Sequence, residues 1–314
     1  MRTDVGRLAA FVAAWWKIVR CALRRNLDIV HIHTSIRGSL LRKSLLALTC
    51  VCLRQNYILH IHNGAMESYL DGLPRILRHV IGTIWRRARK VICLSRDMQA
   101  WIVGRWRFSE EKCPVIYNGI PDPLLAGLQH AVQSEPLSIL FLGRLVEGKG
   151  IRTLLDAVKN LHLSGYSCKL LVAGSGDVPV FIEDVESRGL SEHVEYLGWV
   201  TGEEKSQLLI HSDIFVLPSR SEGFSVAIVE AMAFGAAIVS TDIPGVVDAV
   251  THEREALLVP PDDAAALCDA LRTMLESPAL RANLSAAARQ RFLDRFTVQH
   301  MAERLVREYR HALM

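Results

Sequence analysis

No apolar run in the 314 residues approaches the ~20 residues that a bilayer-spanning helix requires; the longest are LAAFVAAWW (8–16) and LLALTCVCL (45–53). No charged-then-apolar segment with a small-residue cleavage site follows Met1, so the expectation is a chain that is not exported. Cysteine is sparse: seven residues (21, 50, 52, 93, 113, 168, 268), no C-x-x-C pair, and no His or Cys spaced around Cys50-Val-Cys52 as a zinc site would need. That pattern argues against a disulfide framework or a zinc ribbon and for buried free thiols in a reducing cytoplasm. The full G-x-G-x-x-G spacing is missing, which makes a nicotinamide or flavin site a poor reading. There is no low-complexity tract and no repeat of solenoid period.

What is present is a globular composition, 50% hydrophobic and 22% charged, in a chain long enough for two domains. The net charge of +4 conceals a split. Residues 1–120 carry 20 Lys+Arg against 7 Asp+Glu, and residues 121–314 carry 17 against 26. A basic first half points to an anionic surface or substrate. The mixed Trp and Arg stretches WWKIVRCALRR (15–25) and IWRRARK (84–90) favour an anionic membrane surface over nucleic acid.

Short β-rich runs alternate with helical patterns along both halves. In the second they are LSILFLG (137–143), CKLLVAG (168–174), VEYLGWV (194–200), DIFVLPS (213–219), AAIVSTD (236–242) and ALLVP (256–260). In the first, a helix at about 6–25 leads into DIVHIHTS (28–35), YILHIHNG (57–64), KVICLS (90–95) and PVIYNG (114–119). Continuous apolar strands separated by helices predict parallel sheets covered on both faces. The expected organisation is α/β: a first Rossmann-like lobe over 1–120, a linker over 121–136, a second lobe over 137–296 and a terminal helix over 297–314, with a cleft between the lobes. Ligands of such sheets bind beyond the carboxyl ends of the strands.

The stretch PSRSEGFSVAIVEAMAFG (218–235) places two carboxylates, Glu222 and Glu230, in otherwise uncharged surroundings. Ser225 suits an N-cap and Gly235 a helix stop. The helix between them, VAIVEAMAF, is apolar on every side, so a charge at Glu230 is costly unless something hydrogen-bonds it. A ligand with paired hydroxyls would, because an ionised carboxylate only accepts. The free amides of the helix start, around Gly223, Phe224 and Ser225, add donors for hydroxyls or phosphate, with Glu222 at their mouth. The bland alternative pairs Glu230 with a distant Arg and leaves Glu222 to complement the helix dipole. In LFLGRLVEGKG (140–150), Gly143 closes a strand, and Arg144 and Lys149 form a pair of cations suited to a diphosphate. In VAGSGD (172–177), Gly174 marks either a tight turn or a close ligand approach. Diol acceptors, diphosphate cations and glycine space at one sheet edge describe a nucleotide sugar.

These residues carry a resemblance to glycosyltransferase family 4, retaining enzymes of GT-B fold, through GRLVEGKG, LVAGSGD, HSDIFVLPSRSEGFSVAIVEAMAFGAAIVSTDIPG and ALLVPPDD, and in the first half DIVHIHTS, HIHNG, VICLS and PVIYNGI. The resemblance implies that Arg144 and Lys149 hold the donor diphosphate and that Glu222, with the amides of Gly223, Phe224 and Ser225, positions the sugar. It implies that Glu230 takes the ribose diol, that Trp199 and Val200 seat the base, and that His62 faces the sugar. His31, His33 and His60 read as structural. No metal and no cofactor beyond the nucleotide-sugar donor, UDP- or GDP-linked, is expected, and no DxD triplet lies near the site. The implied acceptor is a lipid-linked or polysaccharide glycan of a bacterial cell surface, made at the cytoplasmic face of the membrane.

The resemblance also implies an opening strand and glycine-rich loop before DIVHIHTS, and these are missing, so the first lobe reads as truncated. Three readings follow: a start codon placed too late, a partner chain that completes the lobe, or a non-catalytic nucleotide-sugar-binding subunit. Asp248 replaces the usual Glu and Ala256 the usual Gly. A sugar-nucleotide epimerase is disfavoured by the SEGF…E arrangement.

Overall fold

A computed structural model describes residues 4–24, 26–123 and 136–314. They divide into two compact units, Met1–Tyr117 together with Ala302–Met314, and Asn118–Met301. The linker expected over 121–136 lies, for residues 124–135, outside the described residues.

The first unit opens with helix α1 (Asp4–Leu23) and continues β1 (Val30–Thr34), α2 (Gly38–Cys52), β2 (Tyr57–Ile61), α3 (Met66–Asp71), α4 (Arg75–Arg87), β3 (Lys90–Ile92) and α5 (Arg96–Trp106). Its sheet is parallel in the order β1-β2-β3, with His33 opposite His60 and Leu59 opposite Val91. All five residues of β2 are buried, as a central parallel strand requires. The fourth expected strand, 114–119, does not form; Val115 makes one isolated bridge to Cys93. Pro114 has no N–H to donate at the start of that run, so a ladder there cannot extend backwards.

The Trp–Arg stretches part company. Trp85 is 1% exposed and packs on Trp106 at a ring distance of 4.8 Å, so α4 uses its indole as core and not as a membrane anchor. Trp15 donates to Thr49 Oγ1 at 2.9 Å, and Trp16 stands 61% exposed. Among the described residues no helix is long and apolar enough to cross a membrane.

The second unit runs β4 (Leu137–Leu142), α6 (Ile151–Leu163), β5 (Cys168–Ala173), α7 (Val178–Ser187), β6 (Val194–Gly198), α8 (Gly202–His211), β7 (Ile214–Leu217), α9 (Val226–Phe234), β8 (Ala237–Thr241), β9 (Leu257–Val259), α10 (Ala264–Glu276) and α11 (Pro278–Arg295). Helix α12 (Val298–Leu313) ends the chain and gives most of its length to the first unit. The six apolar runs become a six-stranded parallel sheet in the order β6-β5-β4-β7-β8-β9. Leu140, between Leu171 and Phe215 in register, is wholly buried. The face of α6 made by Ile151, Leu154, Leu155, Val158 and Leu161 is buried at helical spacing. Each such side chain contributes about 1.5–3 kcal/mol relative to exposure.

Helix α9 explains its own composition. It packs on α8, α11 and β8, so Ile228, Val229, Ala231, Met232 and Phe234 all find apolar neighbours. Ser225 caps it by accepting from Ile228 N, and Gly235 ends it at φ 72°, a conformation glycine adopts without penalty.

Five of the seven cysteines are buried, while Cys52 is exposed and Cys21 half-buried, so the expectation of buried thiols fails at those two. Burial pushes the thiols of Cys50, Cys113 and Cys168 up to about 11 and raises those of Cys93 and Cys268. At about pH 8, Ellman's reagent should titrate Cys52 and Cys21 in the native protein and the other five only after denaturation. Fast reaction of all seven in native buffer would contradict this packing.

Candidate functional site

Strands β4, β5 and β6 end side by side, and the turns that follow them enclose a cavity of about 310 Å³ in the second unit. Leu142, Gly143 and Arg144 come from the first turn, Ala173 and Gly174 from the second, and Trp199, Val200 and Thr201 from the third. Lys149, Lys205, Ala227 and Glu230 complete the wall. The strand ends lie close because glycine follows β5. A Cβ on Gly174 would sit 1.7 Å from the Gly143 carbonyl oxygen. Gly174 N donates to Gly198 O at 2.7 Å, and Tyr196 Oη donates to Gly174 O at 2.9 Å. Gly174 is therefore needed where backbone meets backbone at the floor of the cavity.

The turn from β7 to α9 supplies the acids. Glu222 Oε1 accepts from Lys149 Nζ at 2.5 Å and from Ser219 Oγ at 2.8 Å. Glu230 Oε1 accepts from Lys205 Nζ at 2.5 Å. Among the described residues, neither acid's Oε2 has a hydrogen-bond partner. Glu230 is thus not alone in an apolar helix: its carboxylate is 20% exposed, on the one side of α9 that faces the cavity. Its cation is a lysine of the same wall, and the bland expectation of a remote arginine does not hold.

The loop bearing Lys149 is tied to the loop bearing Glu222. Arg220 donates to Glu147 Oε1 at 2.5 Å and to Asp262 Oδ1 at 2.6 Å, and its guanidinium holds the Glu147 carboxyl below its ordinary value. Gly150, at φ 70°, passes so near Pro218 that a Cβ would lie 1.9 Å from its carbonyl oxygen. Arg144 is exposed and makes no ion pair among the described residues. Three cations, Arg144, Lys149 and Lys205, therefore line the cavity against one carboxylate, Glu230. A concave wall with that balance favours an anion, and the lone carboxylate adds an acceptor for hydroxyls. Trp199, 66% exposed, offers an indole face at the rim.

Of the residues singled out from sequence, Gly143, Arg144, Lys149, Gly174, Trp199, Val200 and Glu230 meet in this cavity, and Glu222 joins through Lys149. Gly223, Phe224 and Ser225 do not line it. Phe224 is buried against Phe296, and the Ser225 amide donates to Gly245 O at 3.3 Å. The expected donor array is thus partly spent on the protein itself. Lys205 and Thr201 were missed. Lys205 follows Glu203 and Glu204 at the start of α8 and reads in sequence as a solvated face.

His62 belongs to the first unit. Its amide donates to Thr34 O at 2.9 Å, and its Nε2 lies 2.7 Å from His33 Nδ1. Burial and the neighbouring His33 ring lower its pKa to about 4. His31 and His33 lie in β1, His60 in β2 and His62 just beyond its end. Alternation along two parallel strands brings His31, His33, His60 and His62 onto one face, and their rings lie against one another.

Comparison with known proteins agrees with this architecture. Residues 129–291 match the family described as Glycosyl transferases group 1, and residues 3–122 match Glycosyltransferase Family 4. The amylovoran biosynthesis glycosyltransferase AmsK of Erwinia amylovora is 32% identical over 296 residues, 90% of this chain and 69% of that protein. The uncharacterized glycosyltransferase MJ1607 of Methanocaldococcus jannaschii is 28% identical over 236 residues, 71% of this chain and 60% of its own length. The chain thus spans about 60–69% of the length of these two relatives. The crystal structure of HepE from Anabaena in complex with UDP matches with a TM-score of 0.76 at 21% identity, covering 98% of this chain and 83% of that one. The chain belongs to glycosyltransferase family 4, whose paired α/β lobes make the GT-B fold.

Proposed function

We propose that the protein transfers a hexosyl group from a nucleoside diphosphate sugar to a lipid-linked or polysaccharide acceptor of a bacterial cell surface, with retention at the anomeric carbon. One observation carries this reading: Arg144, Lys149, Lys205 and Glu230 converge on one cavity at the carboxyl ends of β4, β5 and β6. The cations suit a diphosphate, and the free oxygen of Glu230 suits a ribose hydroxyl. The Trp199 rim suits a base. In the reaction the bond between the anomeric carbon and the β-phosphate oxygen breaks, and its electron pair stays on the diphosphate. Arg144 and Lys149 stabilise that growing charge, which is how preorganised electrostatics lower a barrier. The acceptor hydroxyl bonds to the same carbon, and its proton ends on the departing phosphate. HepE, of the same fold, is held with UDP, which supports a uridine donor as the first to try.

A thermal-shift panel of UDP- and GDP-sugars tests the reading, because a ligand bound only by the folded state raises the midpoint. The expected result is a rise with one nucleotide series, together with slow hydrolysis of one sugar of that series. No rise with any nucleoside diphosphate sugar would overturn the proposal. A rise without transfer or hydrolysis would mark the protein as a binding subunit.

A further inference from the structure

The imidazoles of β1 and β2, with His62 just beyond β2, form a contiguous group of rings in the first unit. Parallel pairing sets His33 opposite His60, and alternation adds His31 and His62 to the same face. Rings 31 and 33 stack at 4.2 Å, and rings 60 and 62 lie at 4.1 Å. A sheet interior normally spends such positions on Val or Ile. Here polar nitrogens are buried without partners: His31 Nε2 and both nitrogens of His60 have none. Native proteins seldom leave such groups orphaned unless something binds them.

We propose that His31, His33 and His60 form a binding site for a divalent transition-metal ion of the zinc class. One nitrogen from each residue lies within 4.8 Å of the other two. Zinc–imidazole bonds of about 2.0–2.1 Å place ligand nitrogens ~3.3 Å apart in a tetrahedron, so modest ring rotations close the triangle. Donor type selects the ion. Three neutral nitrogens suit zinc, cobalt, nickel or copper, whereas magnesium and calcium require oxygen ligands. Coordination takes the neutral form of each imidazole, through the lone pair of one ring nitrogen.

Outer partners are in place for two of the three rings. His31 Nδ1 lies 2.5 Å from Tyr309 Oη, and the tautomer that donates there leaves the lone pair of the orphaned Nε2 free. His33 Nδ1 is engaged by His62 at 2.7 Å, which leaves Nε2 as its free nitrogen. His62 is then a positioning residue outside the coordination sphere. His33 is exposed, so the ion has a path from solvent and room for a water as fourth ligand. This departs from the expectation of no metal. It concerns residues of the first unit.

The test uses the full chain, free of any histidine tag, stripped with a chelator and then dialysed against micromolar Zn²⁺. Elemental analysis should find one zinc per chain, and Co²⁺ in its place should give the visible bands of a four-coordinate ion. His33→Gln, at an exposed position, should lower zinc affinity at least ~100-fold, and Tyr309→Phe ~10-fold, with the circular dichroism spectrum unchanged. His60→Leu should abolish binding; if it fails to fold, His33→Gln and His31→Gln decide. Less than a stoichiometric amount of bound zinc, or full retention in both of those variants, would overturn the site.

Discussion

Replacing Glu230 by alanine is expected to weaken binding of the donor nucleotide by about 10–100-fold, the loss of a charge-assisted hydrogen bond to its free oxygen. The sign of this effect is informative. The cavity wall carries three cations and this single carboxylate. Removing a negative charge and freeing Lys205 should, on Coulomb's law alone, tighten the grip on a diphosphate. Weakening can therefore come only from a group of the ligand that needs an acceptor. A nucleotide lacking the ribose hydroxyls separates the causes: it should bind the native protein about as poorly as the complete nucleotide binds the variant. It should also be nearly indifferent to the substitution, as a double-mutant cycle requires. Equal or tighter binding of every nucleoside diphosphate sugar by Glu230→Ala, measured by calorimetry, would remove the ribose role and leave Glu230 as the counter-ion of Lys205.

Lys149→Ala should lower kcat by about 10²–10³ with a smaller change in KM for the donor, the signature of an interaction made mainly in the transition state. Lys149 holds Glu222 at 2.5 Å. Its loss removes a cation and also leaves Glu222 with Ser219 as its one hydrogen-bond donor among the described residues, a bare charge beside the departing phosphate. Arg144→Ala, which strips an exposed guanidinium with no ion pair among the described residues, should cost less than Lys149→Ala. Pairing Lys149→Ala with Glu222→Gln should recover part of the rate if repulsion contributes. A kcat within about threefold of the native value for Lys149→Ala would take this residue out of the leaving-group role.

The second unit was legible because its strands are continuous apolar runs bounded by glycine and polar turns and alternate with helical patterns. Arg144 and Glu222 were legible for a similar local reason, since each follows shortly after a strand end, and Glu230 because it is the one charge in an otherwise apolar helix. Lys205 was not. Its neighbours Glu203 and Glu204 suggest a solvated helix start, and only the packing of α8 on α9 turns it toward Glu230. The expected strand at 114–119 failed because propensity counts Val, Ile and Tyr but not the absence of a partner ladder. Trp85 was misread for a different reason. Arginines flanking an indole look alike in sequence whether the ring enters a membrane or the core. The histidine face needed one fact no local pattern contains, the register of β1 on β2.

The floor beneath Arg144, Trp199 and Glu230 is main chain, with Gly143, Gly174 and Gly198 in contact too close for a side chain at Gly174. Substitutions cannot reshape it without unpicking the sheet, so evolution toward another donor has few letters to rewrite. Those letters sit on the exposed rim, at Trp199 and Thr201. A library confined to these two codons would vary the rim while leaving the buried Val200 and the lobe's stability intact.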